Sequence, residues 1–450
     1  MSADSRDRIV ELDKRLVWHP YTPMRQYRDG TDPLVVVRAE GARLYDADGR
    51  SYLDANSSWW VAALGHGHPR LVAALKRQAD VLCHTALAGI THAPAAELAD
   101  ALVRAAPPGL AHVFFSDDGS TAVEVAMKLA LQYWAQNGRP ARRRFLALEG
   151  AFHGETLGVT ALGGVEVFRR PFAGVLLDCI HVPAPGDGAA YEQAFGALER
   201  ALREGADDIA AVVLEPMVQG AAGMRIYDAA YLRHARALCD AHDVFLVFDE
   251  VFSGYGRTGR MWASQHAGVA PDLLCSAKGL SGGMLPMAAT LATSRIFDGF
   301  LGDPERAFYY GHSFCGNPLG AAVAREVLRV FDDEKVLEQV ARKAPRIARA
   351  FGEMAALPGV ARTRSLGMIG ALDLAGPEGY LAGAGQRVAA EARRRGAYLR
   401  PLGSVVYVTP PLTIPDADLD ELLGIVRESV RAAGGGRSDT ALHSLASSSL

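Results

Sequence analysis

Residues 116–124 carry the first side chains that could bind a ligand. They follow an apolar run and open a stretch with the apolar spacing of a helix. Small residues, among them Gly119 and Ser120, would let backbone N–H groups approach an anion, which the positive end of a helix dipole attracts. Two interpretations stay open: a phosphate site, or a plain strand–turn–helix connection with a serine cap. The segment is not a GxxxxGK[ST] sequence, which excludes a P-loop here.

An acidic pair, Asp249 and Glu250, follows the apolar run 244–248. In an open α/β sheet, ligands bind at the carboxyl ends of the strands. A buried carboxylate is costly unless it meets a cation, and a protonated heterocyclic nitrogen would be one. Asp249 is the stronger candidate because it comes directly after the apolar run. For Glu250, a position near the surface at the end of the strand stays open.

Lys278 follows another apolar run, residues 272–275, and precedes several glycines. A lysine in an apolar setting has a lowered pKa and can form a Schiff base with a carbonyl, although most lysines are solvated. A phosphate cradle, a carboxylate for a ring nitrogen and a Schiff-base lysine are together the parts that hold pyridoxal 5′-phosphate (PLP). Phe152, in the segment AFHG, could stack on a flat ring or belong to the core.

The elements expected around these residues are those of an α/β protein. Between residues 66 and 325, helical stretches alternate with short apolar runs, at residues 112–115, 144–148, 211–214, 244–248 and 272–275. This alternation predicts a mainly parallel central sheet flanked by helices, as a large PLP-binding domain.

The two ends of the chain are expected to build a small α+β lobe. Residues 1–65 are predicted to be irregular, with short strands at 34–37 and 42–46 and a turn at Asp48-Gly49. A C-terminal small domain is expected at 326–433. One long charged helical stretch, 321–354, begins just before it, and strands are predicted at 367–372 and 405–408. The Gly/Ser-rich tail, 434–450, is predicted to be disordered.

Composition limits the classes of function. The 450 residues carry a formal net charge of −4 and are 49% hydrophobic, which excludes disordered and fibrous proteins and disfavours a nucleic-acid partner. The five cysteines form no CxxC pair, so neither a disulfide framework nor a cysteine-rich metal site is expected. The N-terminus lacks the apolar region of a signal peptide, and no apolar run reaches about 20 residues. We therefore expect a cytoplasmic protein with no membrane span.

Taken in chain order, the motifs resemble those of the class III, fold-type I PLP-dependent aminotransferases. They are GSTAVEVAMKLA, AFHG, EPMVQGAAGM, FDEVFSGYGRTG, SAKGLSGG and GHSFCGNPLG, and the resemblance extends from about residue 15 to residue 430. WHPYT (18–22), SSWW (57–60) and residues 89–94 and 130–134 resemble members that act in biotin biosynthesis. The resemblance implies ping-pong transfer of an amino group to 8-amino-7-oxononanoate, which gives 7,8-diaminononanoate, with S-adenosylmethionine as the donor.

The resemblance also implies which residues hold the cofactor. Lys278 forms the Schiff base with PLP and moves a proton between the substrate and cofactor carbons. Asp249 keeps the pyridine nitrogen protonated, Gly119 and Ser120 bind the phosphate, and Phe152 stacks on the ring.

The resemblance gives a role to the GHS segment (Gly311-His312-Ser313) and no catalytic role to two charged residues. The resemblance implies a homodimer with shared sites, in which His312 and Ser313 reach the phosphate bound by the partner subunit. Glu215 and Arg257 lie in motifs shared across the class and receive no catalytic role. Arg257 could pair with a carboxylate, either of a ligand or in a structural ion pair.

The implied substrate pocket is lined by Tyr21, Trp59 and Gly311. Arg400 should pair with a substrate carboxylate through its planar guanidinium. Without the resemblance, Arg400 would more often be a surface residue.

Three positions depart from the pattern of the biotin-pathway members. Phe152 stands where tyrosine is common, Gly311-His312-Ser313 stands where Gly-Pro-Thr is common, and Glu155 stands where some members have aspartate. Some of these members use lysine instead of S-adenosylmethionine, so the donor stays open. The class-wide motifs also leave open another ω-amino acid aminotransferase or a mutase. A non-catalytic relic is disfavoured, because Lys278 is retained.

Overall fold

The structure is a computed structural model that describes residues 3–30, 32–377 and 379–434. Of the predicted disordered tail, residues 435–450 lie outside the described residues. Within the described part of the chain, no helix is both long and apolar enough to cross a membrane.

The described residues form sixteen strands and fifteen helices, with short 3-10 turns between them. The strands are β1 Val36–Glu40, β2 Arg43–Asp46, β3 Ser51–Asp54, β4 Leu110–Ser116, β5 Arg144–Leu148, β6 Cys179–Val182, β7 Ile209–Leu214, β8 Val218–Gln219, β9 Arg225–Ile226, β10 Phe245–Asp249, β11 Leu273–Ser276, β12 Ala288–Thr293, β13 Val360–Leu366, β14 Ile369–Leu374, β15 Ala397–Tyr398 and β16 Val405–Val408. The helices are α1 Ala3–Leu16, α2 Met24–Asp29, α3 Ser57–Trp60, α4 Pro69–Ala79, α5 Ala93–Ala105, α6 Gly119–Gln136, α7 Leu157–Leu162, α8 Glu166–Arg169, α9 Ala189–Gly205, α10 Ala229–His242, α11 Ser294–Asp298, α12 Pro318–Asp333, α13 Val336–Met354, α14 Ala384–Arg394 and α15 Asp416–Gly434.

A seven-stranded sheet forms the centre of the molecule, in the order β4-β12-β11-β10-β7-β5-β6. All neighbouring pairs are parallel except those that β12 makes with β4 and β11. Along β7, Ala211 and Val213 face the core that contains α6, whereas Val212 and Leu214 face the core that contains α9 and α10. Helices therefore cover both faces, and the predicted mainly parallel α/β sheet is confirmed.

The sheet brings the predicted motifs to one edge. β4 ends at Ser116, directly before α6, and β10 ends at Asp249, which lies opposite Cys275 of β11. Lys278 follows β11 two residues after its end. Because these three strands run in the same direction, the residues that follow them meet at the carboxyl edge.

Strands from the two ends of the chain share a sheet. This four-stranded sheet has the order β1-β2-β3-β15, and β15 pairs with β3 in parallel. A further sheet of three strands has the order β13-β14-β16. The predicted strands near residues 36 and 43 and the turn at Asp48-Gly49 are present.

Two sequence predictions about helices are wrong. Residues 3–16, predicted to be irregular, form α1, which has Asp4 in its first turn and basic residues in its last turn, as the helix dipole favours. The stretch 321–354 is two helices, because Lys335 has a φ of +52° and turns the chain between α12 and α13. The sequence does carry a sign of this break, because the charged run 332–335 interrupts the apolar spacing between Phe331 and Val336.

The strand β12 was not predicted, although it lies inside the central sheet. Its sequence, AATLAT, is short, small and only weakly apolar. Residues 288–292 are nevertheless buried because β4 and β11 flank them.

Candidate active site

A cavity of about 350 Å³ opens at the carboxyl edge of the central sheet. Six of the predicted site residues line it: Trp59, Gly119, Ser120, Phe152, Asp249 and Lys278. The chain thus brings together predicted residues from five separate segments, as expected for a ligand site of an α/β protein.

Asp249 is almost fully buried at the floor of this cavity. Its Oδ1 accepts a hydrogen bond from the backbone N–H of Val251 at 3.0 Å, and its Oδ2 lies 2.8 Å from Nδ1 of His153. The carboxylate is therefore fixed in orientation while it lines the cavity. Such a buried anion suits a cationic ring nitrogen.

Lys278 stands at the end of β11 in a left-handed backbone conformation, with a φ of +37°. Its Nζ lies 4.6 Å from the centre of the Trp60 ring. Burial lowers the pKa of the Lys278 amine, and this effect outweighs the nearby charges of Asp249 and Glu215, which raise it. A larger fraction of neutral, nucleophilic amine results.

Two buried groups behind Asp249 had no predicted role. His153 is 3% exposed, and its Nε2 has no partner within the described residues. Glu215 accepts hydrogen bonds from the backbone N–H groups of Phe152 (3.2 Å) and Gly220 (3.0 Å). Burial raises the pKa of Glu215 to about 7. The sequence did hold a signal for His153, which directly follows Phe152 in AFHG.

The start of α6 forms a backbone cradle. Asp118 caps the helix by accepting a hydrogen bond from the Thr121 N–H, so the predicted serine cap is wrong. The first N–H groups of a helix, here those of Gly119 and Ser120, have no acceptor within it. A Cβ on Gly154 would lie 2.3 Å from Oγ of Ser120, and a Cβ on Gly119 would lie 2.7 Å from Val251. Because Gly119 and Gly154 have no side chain, space stays free beside the first residues of α6.

An aromatic and charged cluster adjoins the cavity through Trp59 and Glu155, which line it, whereas Tyr21 and Arg400 are not among the lining residues. The guanidinium of Arg400 lies 3.4 Å from the centre of the Trp59 ring and 5.5 Å from that of Tyr21. The hydroxyl of Tyr21 donates a hydrogen bond to Glu155, which also lines the cavity. Arg400 is partly buried, so it is not a fully exposed surface arginine.

Two other predictions are corrected by burial. Glu250 is fully buried and accepts hydrogen bonds from the N–H groups of Ala263 and Ser264 and from the Ser253 hydroxyl, so it does not lie near the surface. Arg257 makes no ion pair within the described residues; it donates to the carbonyl of Pro410 at 2.8 Å. Burial lowers the pKa of Arg257 to about 9.

The GHS segment lies outside this chain's own cavity. Gly311 and Ser313 are exposed. The His312 ring contacts Asp117 at 2.7 Å through Nδ1 and the Tyr310 hydroxyl at 2.8 Å through Nε2. Asp117 lies on the cavity rim, so the segment is near the site without entering it.

The cavity therefore offers a nucleophilic amine, a buried carboxylate and an anion cradle. These groups suit an aldehyde, a basic ring nitrogen and a phosphate, which are three of the polar groups of PLP. The Phe152 side chain at the cavity wall suits a flat ring. With the mainly parallel sheet, this set defines a PLP-dependent enzyme of fold type I.

Comparison with known proteins gives the family. The sequence profile of the class-III aminotransferases matches residues 26–430, and the chain belongs to this family. The enzyme is thus a PLP-dependent aminotransferase.

The relatives span nearly the whole chain. The adenosylmethionine-8-amino-7-oxononanoate aminotransferase of Nitratidesulfovibrio vulgaris is 41% identical, over 96% of this chain and 83% of that protein. The protein of the same name from Synechococcus elongatus is 43% identical, over 92% and 97%.

Solved structures are similar too. The crystal structure of the adenosylmethionine-8-amino-7-oxononanoate aminotransferase of Methanocaldococcus jannaschii has a TM-score of 0.91 and 34% identity, covering 95% of this chain and 99% of that one. The omega transaminase of Pseudomonas jessenii in complex with PMP has a TM-score of 0.90 and 28% identity, covering 95% and 100%.

Proposed function

We propose that this aminotransferase converts 8-amino-7-oxononanoate to 7,8-diaminononanoate in biotin biosynthesis, with S-adenosylmethionine as the amino donor. The observation that carries the proposal is the stack of Arg400 on Trp59, which lines the cavity. A guanidinium that stacks on an indole can keep N–H groups free for a carboxylate, which the acceptor carries. The names of the relatives support the same acceptor.

PLP, when bound, supplies a carbonyl carbon that takes up the amino group and a ring that accepts electrons. Lys278 would hold that carbon through its Nζ and would move a proton to and from the substrate carbon. Asp249 would keep a proton on the ring nitrogen. Gly119 and Ser120 would donate hydrogen bonds to the phosphate, and Phe152 would cover the ring face.

The substrate side would consist of Tyr21, Trp59 and Arg400, with Gly311 of the partner subunit, since Gly311 lies outside its own chain's cavity. Arg400 would bind the carboxylate at the far end of the acceptor. The aromatic rings of Tyr21 and Trp59 would exclude water along the aliphatic chain. Glu155, which accepts the hydrogen bond of Tyr21, offers a negative charge for an amino or sulfonium group of the donor.

We further propose a cytoplasmic homodimer, in which His312 and Ser313 reach the phosphate of the partner's site. Large apolar side chains near this segment and near the N-terminus are exposed in the single chain: Tyr309 is 79%, Phe314 is 61% and Trp18 is 88% exposed. Large apolar side chains exposed within one segment, as Tyr309 and Phe314 are, favour an interface there.

A half-reaction tests the function and the donor. The PLP-loaded enzyme is mixed separately with S-adenosylmethionine and with lysine, and the conversion of PLP to its amino form is followed by absorbance. We expect conversion with S-adenosylmethionine, and then reconversion on addition of 8-amino-7-oxononanoate. In the control variant Lys278→Ala the rate should fall by roughly 10³-fold or more.

Three outcomes would contradict parts of this proposal. Reaction with lysine alone would change the donor and keep the acceptor. Efficient use of ornithine or β-alanine, with no reconversion by 8-amino-7-oxononanoate, would replace the acceptor by another ω-amino substrate. A folded protein that binds no PLP would exclude aminotransfer by this chain.

A further inference from the structure

Asn56 lies buried between the two chain segments that form the substrate side of the cavity. It is 2% exposed and follows β3, directly before the residues 57–60. β3 pairs with β15, so that Tyr398 lies opposite Asp54. Arg400 follows β15 by two residues, as Asn56 follows β3.

The side chain of Asn56 contacts two segments of the C-terminal part of the chain. Its Oδ1 accepts a hydrogen bond from the backbone N–H of Arg400 at 2.8 Å. Its Nδ2 donates to the carbonyl of Tyr407 at 3.3 Å. The side-chain oxygen of Asn56 thus replaces the backbone carbonyl that would accept the Arg400 N–H if β3 and β15 continued to pair.

The backbone of Asn56 holds the turn that carries Trp59. Ser57, Ser58, Trp59 and Trp60 have φ values of +48°, +44°, +65° and +72°, a left-handed turn of four residues. For residues with a Cβ this conformation costs about 1–2 kcal/mol each, so neighbouring contacts must hold it. The Asn56 carbonyl accepts the N–H of Trp60 at 2.8 Å and closes the turn.

Asn56 therefore fixes Arg400 through its side chain and Trp59 through its backbone. We infer that Asn56 is a positioning residue that sets the stack of Arg400 on Trp59 and thereby the affinity for the substrate carboxylate. This inference rests on the proposed role of Arg400. Within the described residues Arg400 forms no ion pair, so its position depends on the stack and on its backbone.

The test uses the reverse half-reaction and compares 7,8-diaminononanoate with its methyl ester. The ester has a neutral methoxycarbonyl group in place of the carboxylate and is otherwise the same molecule. For Asn56→Ala we expect roughly a tenfold loss of kcat/KM on the acid, mostly in KM, because a buried hydrogen bond is lost. With the ester, Asn56→Ala should react at nearly the same rate as the wild type. Ser57→Ala is the matched control: it removes the neighbouring hydrogen bond to the Thr409 carbonyl and leaves Arg400 untouched.

A double-mutant cycle shows whether Asn56 acts through Arg400. In an Arg400→Ala background, Asn56→Ala should cause little further loss on the acid, since coupled residues are not additive. Asn56→Asp keeps an oxygen for the Arg400 N–H and should lose less than Asn56→Ala. It also provides a second variant if the alanine variant folds poorly.

The outcomes separate this inference from the proposed function. Equal losses on acid and ester, additive losses with Arg400→Ala, or wild-type behaviour of Asn56→Ala would each overturn the positioning role alone. If Arg400→Ala leaves the reaction of the acid unchanged, the role of Arg400 fails and this inference fails with it. If the wild type does not react with 7,8-diaminononanoate, the substrate proposal fails. The same comparison then uses an amino acid that the enzyme does accept, and its ester.

Discussion

Nδ1 of His153 lies 2.8 Å from Oδ2 of Asp249, and both side chains are buried in the wall of the cavity. Burial alone would lower the pKa of His153, but the hydrogen bond and charge of Asp249 outweigh it and raise this pKa. The pair therefore keeps the Asp249 carboxylate oriented and supplied with a proton donor.

His153→Ala should weaken the hold of Asp249 on the protonated ring nitrogen of PLP. Because a hydrogen bond to a charged group is lost, we expect kcat to fall by roughly 10–100-fold. The pH titration of the bound cofactor's absorbance should also shift. His153→Asn, whose amide can still donate to Oδ2, is expected to recover part of both. An unchanged titration in the alanine variant would show that the histidine only fills space.

Glu215→Gln should change how stability depends on pH. The folded pKa of about 7 lies above the ordinary value of 4.5, so folding favours the protonated form. The stabilisation from this group is present below pH 4.5 and is lost as the pH rises towards 7. Glutamine has no charge to bury, so the Tm of the variant relative to that of the wild type should increase with pH over this range. The expected change in unfolding free energy is at most about 3 kcal/mol. A pH-independent difference would contradict the raised pKa.

Gly154→Ala should reduce the affinity for PLP. Its Cβ would meet Ser120 at 2.3 Å, in the cradle proposed for the phosphate. We expect a loss of roughly tenfold or more in a titration with PLP, since a clash of this depth must move the cradle. Gly138→Ala is the control, because Gly138 also has a positive φ (+85°) but has nothing within 4 Å of the added Cβ. Equal PLP affinity in the two variants would place the phosphate elsewhere.

Hybrid dimers should show that Ser313 acts across the interface. A dimer of one Lys278→Ala subunit and one Ser313→Ala subunit would contain one site with both Lys278 and the partner's Ser313. Such a hybrid should regain activity at limiting PLP, whereas each homodimer stays impaired. If Ser313 served its own chain's site, the hybrid would contain no complete site and would remain as impaired as the homodimers.

The cofactor side could be predicted from sequence because each motif directly follows a buried strand. An apolar run that ends in Asp249, and another that ends just before Lys278, place both residues at one sheet edge once the strands are parallel. β12 was not predicted because its residues are small and only weakly apolar, and they are buried by the neighbouring strands. The contact between Asn56 and Arg400 could not be found from spacing, since 344 residues separate them and tertiary pairing brings them together. Arg400 was found only through resemblance.

The pairing of β3 with β15 has a consequence for synthesis on the ribosome. Residues 116–278, which hold every group proposed for the cofactor within one chain, are made well before β15. Arg400 and its contact with Asn56 can form only when the chain is nearly complete. During synthesis, the residues proposed to bind the cofactor are therefore in place first, and the contact proposed to position the substrate-binding Arg400 forms last.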